Sequence, residues 1–226
     1  MKYPFDTVLF DLDGTLLDSQ GGILSCIQEA LRHFGIEREK ETLYRYLGPP
    51  IQDTFREFFS DEKKVEEATG LYRALYREKG IYDARVYPGI PELLKALGEA
   101  EIYCRVATSK PEVIAVDVLT HFKLAGFFDS ICGVPLGRDG VTKADVIKTA
   151  LQKGGRQETA VMVGDRMYDL NGAAACGIPA IGAAYGYGPL EELSACGPLY
   201  ICQTPTELGV YLLHEQRRND FEQHGT

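Results

Sequence analysis

The sequence predicts an α/β fold: a parallel sheet with helices on both faces, carrying an all-helical block inserted after the first strand. Three observations carry this reading. Short, almost wholly apolar runs recur along the chain, as strands buried on both faces require. Helix-length amphipathic segments separate several of them. The stretch from about residue 19 to residue 82 contains no such run and reads as helix throughout.

The elements follow in order. Residues 7–10 form the first predicted strand, which ends abruptly in Asp11-Leu12-Asp13-Gly14-Thr15. Four helices are then predicted over 22–34, 39–46, 51–58 and 61–78. Leu43, Leu47, Ile51, Phe55 and Phe58 recur there at helical spacing, and Gly48-Pro49-Pro50 is a hard break between two helices. Tyr87-Pro88-Gly89 marks the return to the sheet, with Pro91 near a helix start. Strands are predicted at 103–107, 131–134, 160–163 and 180–182. Helices are predicted at 90–98, 111–122, 142–153 and 167–176. The expected division is a core of residues 1–16 and 84–226, with a helical cap over 17–83 and hinges near 16–19 and 82–86. The polar tail from about His214 is expected to fray.

Composition bounds the function. The 226 residues are 45% hydrophobic and 25% charged, ordinary for a globular chain, and the net charge of −9 argues against nucleic acid as a partner. Six cysteines are scattered without a CxxC or a zinc-site spacing, as expected of free thiols in a reducing compartment. No apolar stretch is long enough to span a membrane, and the first residues lack a signal-peptide core. A cytoplasmic protein is expected, monomeric or weakly dimeric.

Four places carry chemistry. Asp11 and Asp13 sit at the carboxyl end of a buried strand, where ligands bind in open parallel sheets. Two apart on a strand, they point the same way, and burying charge is costly unless it is paired or bound to a metal. Gly14 lets the chain turn tightly. The plainer alternative is a simple turn. A second strand ends in Thr108-Ser109-Lys110-Pro111, where hydroxyls at a helix start suit an anion, or merely cap the helix. Lys143 opens a helix, where its charge opposes the helix dipole, unless it is only a surface lysine. A third strand ends in Gly164-Asp165, with Asp169 four residues on, either as helix-stabilising charge or as a hard-oxygen partner of Asp11 suited to Mg²⁺.

Taken together, DLDGTLLDS, VATSK, a lysine before a helix and GDRMYD resemble, in order, the four motifs of the haloacid dehalogenase superfamily of phosphatases. Gly182-Ala183-Ala184-Tyr185-Gly186-Tyr187-Gly188 is similar to its phosphoglycolate-phosphatase-like branch, and the helical block lies where one subclass inserts its cap. The resemblance implies a Rossmann-like core and a Mg²⁺-dependent phosphatase of a small phosphorylated metabolite, of the phosphoglycolate or 5′-nucleotide type. It implies that Asp11 attacks phosphorus to give an aspartyl-phosphate, and that Asp13 protonates the leaving oxygen and later deprotonates water. Thr108 and Lys143 would hold phosphoryl oxygens. Asp11, the Asp13 carbonyl and Asp165 would bind the metal, with Asp169 close by. Gly14, Thr15 and Ser109 are the expected phosphate-binding neighbours. The loop 48–51 is expected to face the site, with Arg45, Gln52 and Arg56 as candidate substrate contacts or, equally, solvated helix-face residues. The acid at position 13 favours phosphate esters over dehalogenation. A β-phosphoglucomutase-like isomerase is the alternative, disfavoured because Pro50 and Ile51 stand where such mutases carry a basic residue, unless Arg45 or Arg56 substitutes. A non-catalytic phosphometabolite-binding module is a further alternative.

Overall fold

The computed structural model describes residues 4–138, 140–153 and 159–214. Six strands form one sheet in the order β5-β4-β1-β6-β7-β8, and every pairing in it is parallel. The strands are β1 (Thr7–Phe10), β4 (Tyr103–Pro111), β5 (Ser130–Val134), β6 (Ala160–Gly164), β7 (Ala180–Ala183) and β8 (Tyr200–Cys202). Both faces of β1 are buried, which is why Val8, Leu9 and Phe10 follow one another as an unbroken apolar run. Val8 and Phe10 enter one core cluster with Leu94 and Leu97 of α4 (Ile90–Glu99) and Ile114 and Val118 of α5 (Glu112–His121). Leu9 enters the other, with Val146 and Ile147 of α6 (Lys143–Gln152) and Leu170 of α7 (Met167–Ala175).

The register fixes the site. Phe10 lies level with Val106 of β4 and with Val163 of β6. The residues just beyond this row, Asp11, Thr108 and Asp165, are therefore delivered to one edge of the sheet. The chain leaves β1 toward β4 and leaves β6 toward β7, in opposite directions. The gap between β1 and β6 is thus a topological switch point, where ligands of such sheets bind.

Between β1 and β4 lies the helical insert. It is entered through β2 (Leu17–Asp18) and left through β3 (Arg85–Val86), which pair antiparallel, Leu17 with Val86 and Asp18 with Arg85. Between them run α1 (Gln20–His33), a 3₁₀ segment (Lys40–Tyr46), α2 (Ile51–Arg56) and α3 (Glu62–Glu78). Ile27, Leu31, Leu43, Phe55, Val65 and Tyr76 bury their side chains in the first core cluster. The second predicted helix is 3₁₀ rather than α because it has no room to continue. Gly48 turns left-handed at φ +101°, and Pro49 and Pro50 cannot donate to the turn before them.

Two other boundaries differ from expectation. β4 runs on through Thr108, Ser109 and Lys110 to Pro111, with an irregular register after Ala107, so α5 starts only at Glu112. The edge strand β8 and the last helices, α8 (Leu190–Ala195) and α9 (Pro205–Leu212), complete the far side of the sheet. The polar tail after His214 lies outside the described residues. All six cysteines are free thiols, and among the described residues no helix is long and apolar enough to cross a membrane.

Candidate active site

Three carboxylates meet at the switch point. Asp11, from the end of β1, and Asp165 and Asp169, from the end of β6 and the first turn of α7, offer oxygens all within 4.8 Å of one another. All three are buried. Burial raises the Asp11 carboxyl to about 6, with Lys143 opposing the rise and Asp169 adding to it. Burial, then Asp169 and Asp11, push the Asp165 carboxyl well above its ordinary value.

Lys143 is the cation that faces them. Thr142 caps α6 by accepting from the Asp145 N–H, which fixes the first turn and aims the next side chain inward. The Lys143 Nζ donates to Asp11 Oδ1 at 2.7 Å and lies 2.6 Å from Asp169 Oδ1. Burial works against its charge, but the two carboxylates outweigh it and hold its pKa above the usual lysine value. The surface reading of this residue is therefore overturned. One buried ammonium against three buried carboxylates leaves an excess of negative charge. A hard divalent cation with oxygen ligands fits that donor set.

Asp165 is seated by glycines. Gly14 has φ +87°, and a Cβ there would lie 2.2 Å from Asp165 Oδ2. The carboxylate accepts from the Tyr187 N–H at 2.8 Å and from Thr15 Oγ1 at 3.2 Å. Gly14 and Thr15 were expected beside a phosphate. They lie against Asp165, with Thr15 fully buried. Asp169 also serves the helix start, since its Oδ2 accepts the Arg166 N–H at 3.0 Å at the start of α7.

The Asp13 side chain stands apart from this group. Its Oδ1 accepts from Ser19 Oγ at 2.5 Å, and its Oδ2 accepts from Lys110 Nζ. Ser19 is held in turn by Tyr187, whose hydroxyl accepts the Ser19 N–H at 2.8 Å. Lys110 also reaches Tyr76 Oη at 3.1 Å. Thr108 does not cap a helix. It is buried near the end of β4 and accepts the Lys110 N–H.

Asp11, Asp13, Thr108, Ser109, Lys110, Pro111 and Ile114 line a pocket together with insert residues: Ile23, Tyr46, the 48–51 loop, Tyr72, Arg73 and Tyr76. The loop faces the site as its Gly-Pro-Pro break suggested. Arg45, Gln52 and Arg56 are not part of the wall. Arg45 turns outward to Glu57, and Arg56 to Asp53 and Glu62. The insert residues that do face the pocket, Tyr72, Arg73 and Tyr76, come from α3. Their inward direction depends on how α3 packs and carries no local signal. Lys110 had a signal: it stands two residues after Thr108 on an extended strand, hence on the same side. Arg166 ties insert to core, donating to the Leu47 carbonyl and, from Nε at 2.8 Å, to Glu192.

Known proteins resemble this chain in sequence and in fold. A 5′-nucleotidase of Pseudomonas aeruginosa is 40% identical over 205 residues, 89% of this chain and 92% of that protein. Tyrosine-protein kinase PtkA of Mycobacterium tuberculosis is 40% identical over 201 residues, 88% of this chain and 69% of that one. The crystal structure of a predicted phosphatase from Clostridium acetobutylicum superposes with a TM-score of 0.86 at 40% identity, covering 91% of this chain and 96% of that one. The model of the haloacid dehalogenase-like hydrolases matches residues 8–183, and the chain belongs to that family.

Proposed function

We propose that the protein is a Mg²⁺-dependent phosphatase of small phosphate monoesters, acting through an aspartyl-phosphate on Asp11. One observation carries this reading: Asp11, at the end of β1, lines a pocket and is hydrogen-bonded to a buried lysine, with the Asp13 carboxylate beside it in the same pocket. A nucleophile, a charge-neutralising cation and a separate proton-carrying acid are what ester cleavage at phosphorus requires.

The roles follow from placement. Asp11 forms a bond to phosphorus while the bond from phosphorus to the leaving oxygen breaks, and Asp13 supplies that oxygen with a proton. Water then attacks the phosphorus, Asp13 takes its proton, and phosphate departs as the Asp11 carboxylate is restored. Lys143 and Thr108 bind the phosphoryl oxygens and offset their charge. Asp11, Asp165, Asp169 and the Asp13 carbonyl would hold Mg²⁺, which supplies positive charge to bring an anionic ester toward a carboxylate. Residues 17–83 act as the cap over a core of 1–16 and 84–226. They exclude water and shape the leaving-group pocket.

The isomerase alternative looked to Arg45 or Arg56 as a second phosphate clamp, and both are committed to surface carboxylates. Transfer to a protein hydroxyl, as the name of the mycobacterial relative describes, needs a site open to a polypeptide segment. Here insert residues line the pocket that holds Asp11 and Asp13. A purely binding module would have no use for Asp13.

The test is an assay of the purified protein on a panel of phosphomonoesters, with Mg²⁺ and with EDTA. Release of phosphate that requires the metal and is abolished in Asp11→Asn is expected. Full activity in that variant, or metal-independent turnover, would sink the reading.

A further inference from the structure

Three successive residues after β7 clasp the turn that carries Asp13. The Tyr185 hydroxyl donates to the Thr15 carbonyl at 3.1 Å. Gly186 lies so close to the Gly14 carbonyl oxygen and to Asp165 that a Cβ there would come within 2.3 Å of each. Tyr187 then faces two ways. Its main-chain N–H donates to Asp165 Oδ2 at 2.8 Å, and its hydroxyl accepts the Ser19 N–H, also at 2.8 Å. Ser19 stands just before α1, where a serine ordinarily accepts a main-chain N–H of the first turn. It caps nothing there. It is fully buried, and its hydroxyl donates instead to Asp13 Oδ1 at 2.5 Å. With that proton committed, the 3.2 Å approach of Ser19 Oγ and Tyr187 Oη is a hydrogen bond that the tyrosine donates. A directed chain therefore runs from Tyr187 through Ser19 to Asp13. Neither Tyr187 nor Ser19 lines the pocket, so both act on Asp13 from behind.

We infer that Tyr187 is a positioning residue for proton transfer, which through Ser19 holds the Asp13 carboxyl in place for the leaving oxygen. The inference deepens the phosphatase reading and rests on it. Asp13 has two partners, Ser19 on Oδ1 and Lys110 on Oδ2. A carboxylate offers about four lone-pair sites, so these bonds leave room for an oxygen of the substrate. The two partners differ in kind. A lysine ammonium can only donate, whereas a serine hydroxyl donates or accepts. A carboxyl that gives up a proton and takes one back keeps its bond to Ser19 in either state. The serine hydroxyl turns round, and the Tyr187 oxygen is there to accept it. Misplacing such a group by a fraction of a bond length is enough to slow the step it serves.

The experiment measures kcat and KM, with Mg²⁺, on two kinds of ester. Glycerol 3-phosphate, 2-phosphoglycolate and adenosine 5′-monophosphate have alkoxide leaving groups that need a proton. The leaving group of p-nitrophenyl phosphate departs as a stable anion. Wild type, Tyr187→Phe, Ser19→Ala and Ser19→Thr are compared. On the alkyl esters that the wild type cleaves, Tyr187→Phe and Ser19→Ala are expected to lose about 10- to 100-fold in kcat/KM, chiefly through kcat. Their loss on p-nitrophenyl phosphate is expected to be smaller by about 10-fold. Ser19→Thr, which keeps a hydroxyl, recovers part of what Ser19→Ala loses. Tyr187→Phe keeps the main-chain N–H on Asp165, so the rise in Tm with Mg²⁺ persists. Equal losses on both kinds of ester overturn the inference, as does a Tyr187→Phe protein as fast as wild type. So does a wild type that cleaves p-nitrophenyl phosphate alone. Each of these leaves the phosphatase reading standing, whereas a wild type that hydrolyses none of the four with Mg²⁺ overturns both. Should Tyr187→Phe fail to fold, Ser19→Ala against Ser19→Thr on the same esters decides the matter.

Discussion

Asp165 occupies space that a side chain at position 14 would take. The overlap is severe, 2.2 Å from a Cβ to Oδ2, and the backbone there is left-handed at +87°. Gly14→Ala is therefore expected to cost at least about 2 kcal/mol of stability, from overpacking and backbone strain together. Urea denaturation measures this, and the stabilisation conferred by added Mg²⁺ should fall with it. Asp13 stands on different ground. Held by Ser19 and Lys110 outside the carboxylate cluster, it can be changed without disturbing the metal site. Asp13→Asn should lower kcat by about 10²- to 10⁴-fold, the usual contribution of a general acid–base group. Retention of the Mg²⁺-induced shift in Tm would separate that loss from misfolding.

The raised carboxyls at this site have a pH signature. The Asp11 carboxyl moves from 3.8 to about 6, mainly through burial. The folded state thus holds this proton more tightly than the unfolded chain does. Without metal, the group's contribution to stability is present at low pH and is lost as pH rises from about 4 to about 6. A divalent cation needs the deprotonated form and so competes with the proton. The rise in Tm on adding Mg²⁺ should accordingly be larger at pH 8 than at pH 5. An equal rise at both would show that Asp11 does not take part in binding.

At the scale of elements, what the sequence makes visible depends on burial on two faces. β1 was legible because both its faces meet a core, so Val8, Leu9 and Phe10 follow one another as an unbroken apolar run. β2 and β3 have two residues each, too few for any period to show. In β8, an edge strand, Tyr200 and Ile201 are only half-buried. Asp11, Asp165, Thr108 and Lys143 were legible because each stands where an apolar strand ends or a helix begins. Arg73 and Tyr76 were hidden in a helix that is polar over much of its length, and only its packing against α1 decides which side faces in. Arg166 was quoted in its motif, but its reach to Leu47 depends on the insert folding back over the sheet. Removing its side chain in Arg166→Ala strands the Leu47 carbonyl and the Glu192 carboxylate. A loss of about 1–3 kcal/mol is expected in equilibrium unfolding.

For the whole molecule, labour is divided between a parallel sheet and a helical insert. The parallel sheet delivers acids and a lysine to fixed places through strand register and a capped helix. The insert supplies the far wall of the pocket from a loop and one face of α3. The pairing of Leu17 with Val86 and of Asp18 with Arg85 brings the start and the finish of that insert side by side. To the core, the whole intervening stretch is a single closed loop tied at its neck. Natural variation inside that loop can be extensive, including changes of length, without shifting Asp11 relative to Asp165. A lineage of such proteins can therefore exchange one nutrient or waste product for another by rewriting the loop, while the cleavage machinery passes down untouched.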